Sequence, residues 1–200
     1  MAGALQIARF LNKTLRVRAF SDSSKNGLQF NGKKEVRKIG FAVDSCLSVF
    51  EKAAREKCGM IIVHHGLIWK GDSFRSIADK RMSFLKKKGI SLYGVHLPLD
   101  ADRKYGNNIM LSNLLGIKRI RRFGVYKRQR IGFMGEFEKP ISLAKAVKII
   151  EKSLKTRCKV LKFGKSSLKT IGIISGGGSS MLIQAIDKKL DAYLTGELDL

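Results

Sequence analysis

Short apolar segments alternate with longer amphipathic ones over the first half of the chain. Largely apolar runs of strand length lie at 39–43, 60–63 and 90–95. Segments with apolar positions at helical spacing follow them at 46–57, 74–87 and 108–115, and another precedes them near the start of the chain. Strands that alternate with helices are typical of a mostly parallel sheet covered on both faces. We therefore predict an α/β fold, and we interpret the Ser-, Asn- and Gly-rich residues 21–32 as a loop.

A basic run separates this half from a second group of predicted elements. The run comprises Lys118, Arg119, Arg121, Arg122, Lys127, Arg128 and Arg130. Strands are predicted beyond it at 131–137, 159–163, 170–174 and 192–194, with helices at 142–154 and after 176–180. Because the two groups share one plan, we predict two similar lobes, 1–122 and 123–200. Each lobe is expected to be a mostly parallel sheet flanked by helices.

Composition favours a folded cytoplasmic protein. The chain is 44% hydrophobic, which is ordinary for a globular core. No apolar stretch reaches the length of a membrane helix, so we expect no membrane partner. The three cysteines show no close paired spacing, and the first residues lack the apolar centre of a secretory signal. These features indicate reduced thiols and a cytoplasmic location.

The charge of the chain is unusually positive. Lys and Arg number 40 against 16 Asp and Glu, for a formal net charge of +24. One interpretation is attraction to nucleic acid or another polyanion. The other is a surface adapted to salt, heat or a basic proteome. We favour the second slightly, because no aromatic-rich nucleic-acid module is visible.

All three histidines of the chain stand at the ends of predicted strands. His64 and His65 end the second strand, His96 ends the third, and Asp100 follows soon after. Ligands collect at the carboxyl ends of the strands in such sheets. Imidazole suits zinc, iron, manganese or nickel, and a carboxylate can add a bridging oxygen. We therefore predict that His64, His65 and Asp100 bind divalent metal, in preference to histidines that only form hydrogen bonds in a loop.

Neighbouring polar residues have less certain roles. His96 could ligate metal, orient Asp100 or transfer protons, and we favour the positioning and catalytic roles over direct ligation. Asp44 is interpreted as the N-cap of the following helix. The glycine-rich segment 176–180 fits a phosphate-binding turn and a plain strand–helix turn about equally well.

Several separated segments resemble one known family. They are Asn26-Gly27-Leu28-Gln29, the segment 64–69, the segment 96–100, Gly106-Asn107-Asn108, Leu114-Leu115-Gly116-Ile117, Gly176-Gly177-Gly178-Ser179 and Thr195-Gly196-Glu197. In this order they resemble motifs of the Nif-three-like dinuclear metal-centre proteins, also called GTP cyclohydrolase I type 2 homologues. The resemblance implies two similar lobes around a metal-binding cleft and two divalent metal ions per complete subunit. It also implies that His64, His65 and Asp100 are ligands, that His96 is a motif residue, and that the protein is a cytoplasmic ring-shaped homohexamer.

The resemblance has one departure. Family members usually continue for some tens of residues past the Thr-Gly-Glu motif, and that tail carries a His and, four residues later, a Glu that ligate metal. The present sequence stops at Leu200, before either residue. We therefore expect three predicted ligands for two metals and a second lobe that is incomplete at its C-terminus.

Three function hypotheses follow. The first is a metal-dependent hydrolase of a small phosphorylated or cyclic amide substrate, in which His96 moves protons. The second is a non-catalytic metal carrier or assembly factor, because open coordination positions suit delivery as well as catalysis. The third is a basic adaptor that binds nucleic acid or protein, with metal in a structural role.

Overall fold

The computed structural model describes residues 2–32, 35–71 and 75–198. The chain divides into two compact units, Met1–Leu99 and Asp100–Leu200. Each unit has a four-stranded sheet with helices beside it, as the α/β prediction requires. The helices are α1 Ala4–Thr14, α2 Leu47–Arg55, α3 Arg75–Lys88, α4 Leu97–Asp100, α5 Asn107–Leu114, α6 Leu143–Leu154 and α7 Leu182–Asp187. The strands are β1 Gly27–Phe30, β2 Ile39–Asp44, β3 Met60–His65, β4 Ser91–Gly94, β5 Lys118–Tyr126, β6 Gln129–Ser142, β7 Ser167–Ile174 and β8 Ala192–Thr195.

The first sheet has the order β1-β4-β3-β2, and its last three strands are parallel. Only β1 is antiparallel, at the edge beside β4. Side chains of alternate residues in β3 point to opposite faces of the sheet and pack in different hydrophobic clusters. Met60 packs with α1 on one face, whereas Ile61 and Val63 pack with α2 and α3 on the other. The prediction of a mostly parallel sheet is confirmed for this unit. Helices pack on both faces of β3, whereas Phe41 and Val43 of the edge strand β2 are exposed.

Strand β1 lies where a loop was predicted. Residues 21–32 are rich in Ser, Asn and Gly, which disfavour strands. Gly27–Phe30 nevertheless pairs with β4. Edge pairing and the burial of Gly27 and Gln29 override the local preference, because the backbone groups of β4 gain partners on that side.

The second sheet has the order β5-β6-β7-β8 and is mainly antiparallel. Strands β5 and β6 are antiparallel, as are β6 and β7, and only β7 and β8 are parallel. The prediction of a mostly parallel sheet is therefore wrong for this unit. The reason is the basic run, which forms β5 and the turn of a hairpin. Lys127 and Arg128, the two residues between β5 and β6, both have positive φ, as in the turn that closes two-residue hairpins.

Two further sequence predictions differ from the structure. The predicted lobe boundary between residues 122 and 123 lies inside β5, whereas the compact units divide between Leu99 and Asp100. The predicted strand at 159–163 is wrong, because residues 155–166, all of which are described, contain no strand. Phe163 is 93% exposed there, so the apolar side chains that suggested a strand do not pack against a sheet.

The glycine-rich segment forms a tight strand–helix turn. Gly178 donates its N–H to the carbonyl of Gly176, and Glu197 donates its N–H to the same oxygen. A single 3₁₀ turn, Ser179–Met181, then leads into α7. Among the described residues, no helix is both long and apolar enough to cross a bilayer.

Candidate metal centre

The three histidines of the chain lie together in the first unit. His64 and His65 end β3, and His96 follows β4. A ligating atom of each lies within 4.8 Å of those of the other two. The ring centroids are 4.6 Å apart for the first pair, 5.1 Å for His64 and His96, and 5.7 Å for His65 and His96. The rings are half-buried, so the cluster is held by the fold and still reached by solvent.

The end of a strand makes this arrangement possible. Neighbouring residues of a strand point to opposite faces, so an interior His-His pair would diverge. By this alternation, His64 belongs to the face of the sheet that carries Met60. His65 belongs to the opposite face, which carries Ile61 and Val63. Because β3 stops at His65, the two rings still approach each other.

Each histidine uses its Nδ1 atom to bond an oxygen of the first unit. The Nδ1–H of His64 donates to the carbonyl of Val95 at 2.9 Å, since a carbonyl can only accept. The Nδ1 of His65 lies 2.7 Å from Oδ1 of Asp44, and that of His96 lies 3.0 Å from Oδ1 of Asp22. A carboxylate likewise accepts, so in the neutral form of each ring Nε2 is the nitrogen that carries the lone pair. An oxygen acceptor behind the imidazole is the usual support of a metal-binding histidine.

Asp22 is the most tightly held of these supports. Its side chain is 2% exposed and accepts bonds from four donors, namely the N–H of Ser24, the amide of Asn26, His96 and the N–H of Leu97. Burial raises the pKa of Asp22, but the bonds from His96, Asn26 and Ser24 outweigh burial and hold that pKa well below its usual range. Asp22 is therefore an ionised acceptor that fixes the His96 ring.

The motif Asn26-Gly27-Leu28-Gln29 supports both turns that carry the histidines. Asn26 accepts the N–H of His96 at 2.7 Å and donates to Asp22 at 2.9 Å. Gln29 accepts the N–H of Leu67 at 2.7 Å, just after His65. The Gln29 amide also occupies the space that a side chain at residue 66 would need, so Gly66 is required there. The motif thus has a structural role that sequence reasoning recognised only as part of a resemblance.

The structure changes the interpretation of Asp44. The N-cap of α2 is Cys46, and no side chain caps that helix end. The N-cap role predicted for Asp44 is therefore wrong. Asp44 is instead the last residue of β2, paired in register with His65 in β3. Its exposed carboxylate bonds the His65 ring.

Asp100 belongs to the second unit, where it ends α4 and is 6% exposed. Its Oδ1 accepts bonds from the amide of Asn107 at 2.8 Å and the hydroxyl of Ser175 at 3.3 Å. These donors fix the orientation of the carboxylate. The role of Asp100 as a metal ligand stays a prediction.

His96 has a geometry that suits two roles. Its ring belongs to the same cluster as the two predicted ligands, so direct ligation is geometrically open to it. Its bond to the ionised Asp22 equally suits a histidine that transfers protons through Nε2. The favoured catalytic or positioning role stays a prediction. The nitrogen donor set fits a borderline divalent ion such as zinc, iron, manganese or nickel.

Comparison with known proteins confirms the resemblance found in the sequence. The family described as Duf34/NIF3 (NGG1p interacting factor 3) matches residues 3–200. A GTP cyclohydrolase 1 type 2 homolog of Pyrococcus horikoshii is 42% identical over 195 residues, which cover 96% of this chain and 78% of the relative. A protein of the same description from Archaeoglobus fulgidus is 37% identical over 193 residues, which cover 96% of this chain and 77% of the relative.

Solved structures agree with this assignment. The protein ybgI, described as of unknown function, has a TM-score of 0.89 and 32% identity, with 98% of this chain and 79% of that chain covered. TTHA1606 from Thermus thermophilus has a TM-score of 0.86 and 32% identity, with 98% and 78% covered. Fold, motif order and sequence identity thus agree, and the chain belongs to the Duf34/NIF3 family.

Proposed function

We propose that this chain binds divalent metal at His64 and His65, with His96 beside them, and acts as a metal-dependent hydrolase. The observation that carries the proposal is that one ligating atom of each of the three imidazoles lies within 4.8 Å of the others. Each imidazole is also backed by an oxygen acceptor at Nδ1. Histidines that only satisfied hydrogen bonds would not need one ligating atom of each to lie this close to those of the other two. The name of the chain's relatives, GTP cyclohydrolase 1 type 2 homolog, supports hydrolytic chemistry, and the resemblance to dinuclear metal-centre proteins supports metal binding.

Different residues of the chain have different proposed roles in metal binding and proton transfer. His64 and His65 hold the metal, with Asp100 as the predicted oxygen ligand that makes the centre dinuclear. When bound, the metal polarises a carbonyl or phosphoryl group and lowers the pKa of water. Asp44 and the carbonyl of Val95 orient the two ligands. His96 accepts or returns a proton at Nε2, and Asp22 stabilises its protonated ring.

The proposed substrate class is a small phosphorylated or cyclic amide molecule. Both contain an oxygen that a metal can polarise and a bond that water can break. The resemblance further supports a cytoplasmic homo-oligomer, and the proposed assembly is a hexamer. Its size is checked by light scattering of the full chain.

A paired metal and activity assay tests the proposal. The purified chain is loaded with zinc, iron, manganese or nickel, desalted and analysed for bound metal, and each loaded form is then assayed with aryl phosphates and cyclic amides. We expect bound metal and turnover in the wild type, and loss of both in His65→Ala. Tyr105→Ala, a change at an exposed ring of the second unit, is the control and retains both. Bound metal without turnover would favour a carrier, and absence of bound metal in folded protein would refute the site.

A further inference from the structure

A pocket adjoins the histidine cluster in the first unit. It has a volume of about 370 Å³ and is lined by Ser45, Gly66, Leu67, Trp69, Ile77 and Arg81, among others. Ligand pockets in proteins typically have volumes of about 300–1,000 Å³. The pocket is therefore large enough for a small organic molecule.

The same two strand ends supply both the pocket and the cluster. Asp44 and His65 are paired in register at the ends of β2 and β3, and they bond each other in the cluster. The next residue of each chain segment, Ser45 or Gly66, lines the pocket. Consecutive Cα atoms are about 3.8 Å apart, so a molecule in the pocket lies beside the proposed metal.

Trp69 forms a wall shared by the two sites. Its ring lines the pocket and lies 5.1 Å from the His96 ring, edge to face, and 6.3 Å from the His65 ring. Its Nε1–H donates to the carbonyl of Gly66 at 2.7 Å, which fixes the indole. Leu67 and Ile77 provide further apolar surface. A flat aromatic ring is the shape that such a wall accommodates best.

The polar groups of the pocket favour an anion. Ser45 lines the pocket and is 6% exposed as a residue. Arg81 is half-buried and makes no ion pair with any acidic side chain that the structure describes. The described lining contains no carboxylate. A hydroxyl-bearing residue and a guanidinium that pairs with no described carboxylate therefore line one cavity, where an anionic group could bond both.

The start of α2 adds to this positive environment. A hydrogen bond with Ser48, the N–H of Val49 and the nearby Arg81 guanidinium hold the pKa of the Cys46 thiol below its usual value. Arg81 is thus close enough to the first turn of α2 to act on it electrostatically. The N–H groups at that helix start carry partial positive charge, which reinforces the preference for an anion.

We propose that this pocket is the substrate site of the centre and that it binds an aromatic phosphate ester. The role of the aryl phosphate as a substrate rests on the proposed hydrolase function. Its binding in the pocket does not depend on that function. Ser45 and Arg81 hold the phosphate, and the aromatic ring packs against Trp69. The bound phosphoryl group then lies on the side of the pocket next to His65.

The only tryptophan of the chain is Trp69, so its fluorescence reports on this pocket without interference. Phenyl phosphate is titrated into the full chain in the presence of a chelator that removes metal. We expect a saturable fluorescence change with phenyl phosphate and a much weaker response to benzyl alcohol, which lacks the charge. Inorganic phosphate should compete but bind more weakly, because it lacks the ring.

Arg81→Gln tests the anion contact directly. Loss of a bond to a charged partner is expected to weaken phenyl phosphate binding by about 10- to 100-fold. Lys80→Gln removes the same charge from an exposed neighbour on α3 and should leave binding unchanged. Ser45→Ala should give a smaller loss. Equal weakening by Lys80→Gln and Arg81→Gln, or equal binding of benzyl alcohol, would overturn the pocket assignment.

Failure of this inference is distinguishable from failure of the hydrolase. Binding that depends on Arg81 in chelated protein, with no turnover after metal loading, would overturn the hydrolase and support the aryl phosphate pocket. Turnover of phenyl phosphate that is insensitive to Arg81→Gln, without a fluorescence change on binding, would overturn the pocket. Turnover whose KM rises in Arg81→Gln while kcat is retained would support both.

Discussion

Asp22 and Asp44 offer a matched test of the histidine cluster, because both accept a bond from a histidine but differ in exposure. The side chain of Asp22 is 2% exposed and that of Asp44 is 67% exposed. Substitution by Asn keeps the shape of each side chain and removes its charge and one acceptor oxygen. We expect both variants to bind metal more weakly and only Asp22→Asn to lose much stability.

The expected magnitudes come from the bonds that each carboxylate makes. Asp22 accepts bonds from four donors, and an Asn amide group would face at least one of them with its own N–H. Loss of buried charge-assisted bonds costs about 1.5–3 kcal/mol each, so we expect Asp22→Asn to destabilise the first unit by about 3 kcal/mol. Asp44 is solvated, and its loss should leave stability within experimental error. Loss of such a supporting group typically lowers metal affinity by about 10- to 100-fold.

Trp69 provides the stability assay, since it is the only tryptophan and lies in the first unit. Urea unfolding of the metal-free protein, followed by its fluorescence, gives the free energy of unfolding of that unit. Metal affinity is measured by competition with a chromophoric chelator. Asp79→Asn, an exposed site on α3, controls for the change in net charge.

The pH dependence follows from the direction of the pKa shift. Because the folded-state pKa of Asp22 is lowered, its contribution to stability is complete above the unfolded pKa of about 3.9. That contribution declines as the pH falls below this value towards the folded pKa. Acidification should therefore destabilise the wild type more steeply than Asp22→Asn. Equal stability of the two aspartate variants, or identical acid profiles for Asp22→Asn and wild type, would refute this account.

Three further predictions concern stability. Asp191 accepts the N–H groups of two neighbours in β7 and a threonine hydroxyl; burial raises its pKa, but these bonds lower it overall. Asp191→Asn should therefore destabilise the second unit above a pH of about 4, and the destabilisation should shrink as the pH falls. The control variant, Asp187→Asn at an exposed position, should leave stability unchanged. Equal urea midpoints of the two variants, measured by circular dichroism, would contradict this prediction. Lys127→Asn with Arg128→Gly supplies residues that favour positive φ at the hairpin turn and should raise stability by about 1 kcal/mol, so an unchanged or lower melting temperature would count against the turn assignment. Phe50→Ala removes a fully buried ring of the first core and should cost about 3–5 kcal/mol by Trp69 fluorescence; a loss below about 1 kcal/mol would show that this core is not packed as described.

The sequence predicted the first unit better than the second, and periodicity explains the difference. Strands β3 and β4 are central and largely buried, and the apolar runs of these strands and of the edge strand β2 stand out in the sequence. Strand β5 lies at a sheet edge and carries several basic side chains along with its buried Phe123. Charged residues on an edge strand discourage unwanted pairing, but they also remove the apolar pattern by which a strand is recognised. The hairpin of β5 and β6 was therefore interpreted as a boundary.

The candidate site was predictable only where strand ends marked it. His64, His65 and His96 follow apolar runs, so their proximity could be inferred from the behaviour of parallel strands. Asp22 lies in a segment without a periodic pattern of apolar residues. Its contact with His96 joins residues that are 74 positions apart in the sequence. No local pattern signals such a contact. The role of Asp44 was missed for a related reason, because an aspartate before a helix has the same sequence signature whether or not it caps that helix.

The cluster owes its geometry to bonds that form without any ion. Three oxygens held by the fold, at the end of β2, after β4 and before β1, each bond one imidazole at Nδ1. This restricts the rotation of every ring, so a cation would meet donors that are already oriented and less conformational entropy would be lost on binding. Histidines that served only as hydrogen-bond donors in a turn would be satisfied by these three bonds alone. Such a role would leave the approach of one ligating atom of each histidine to within 4.8 Å of the others without a cause, and the metal site that we propose would supply that cause.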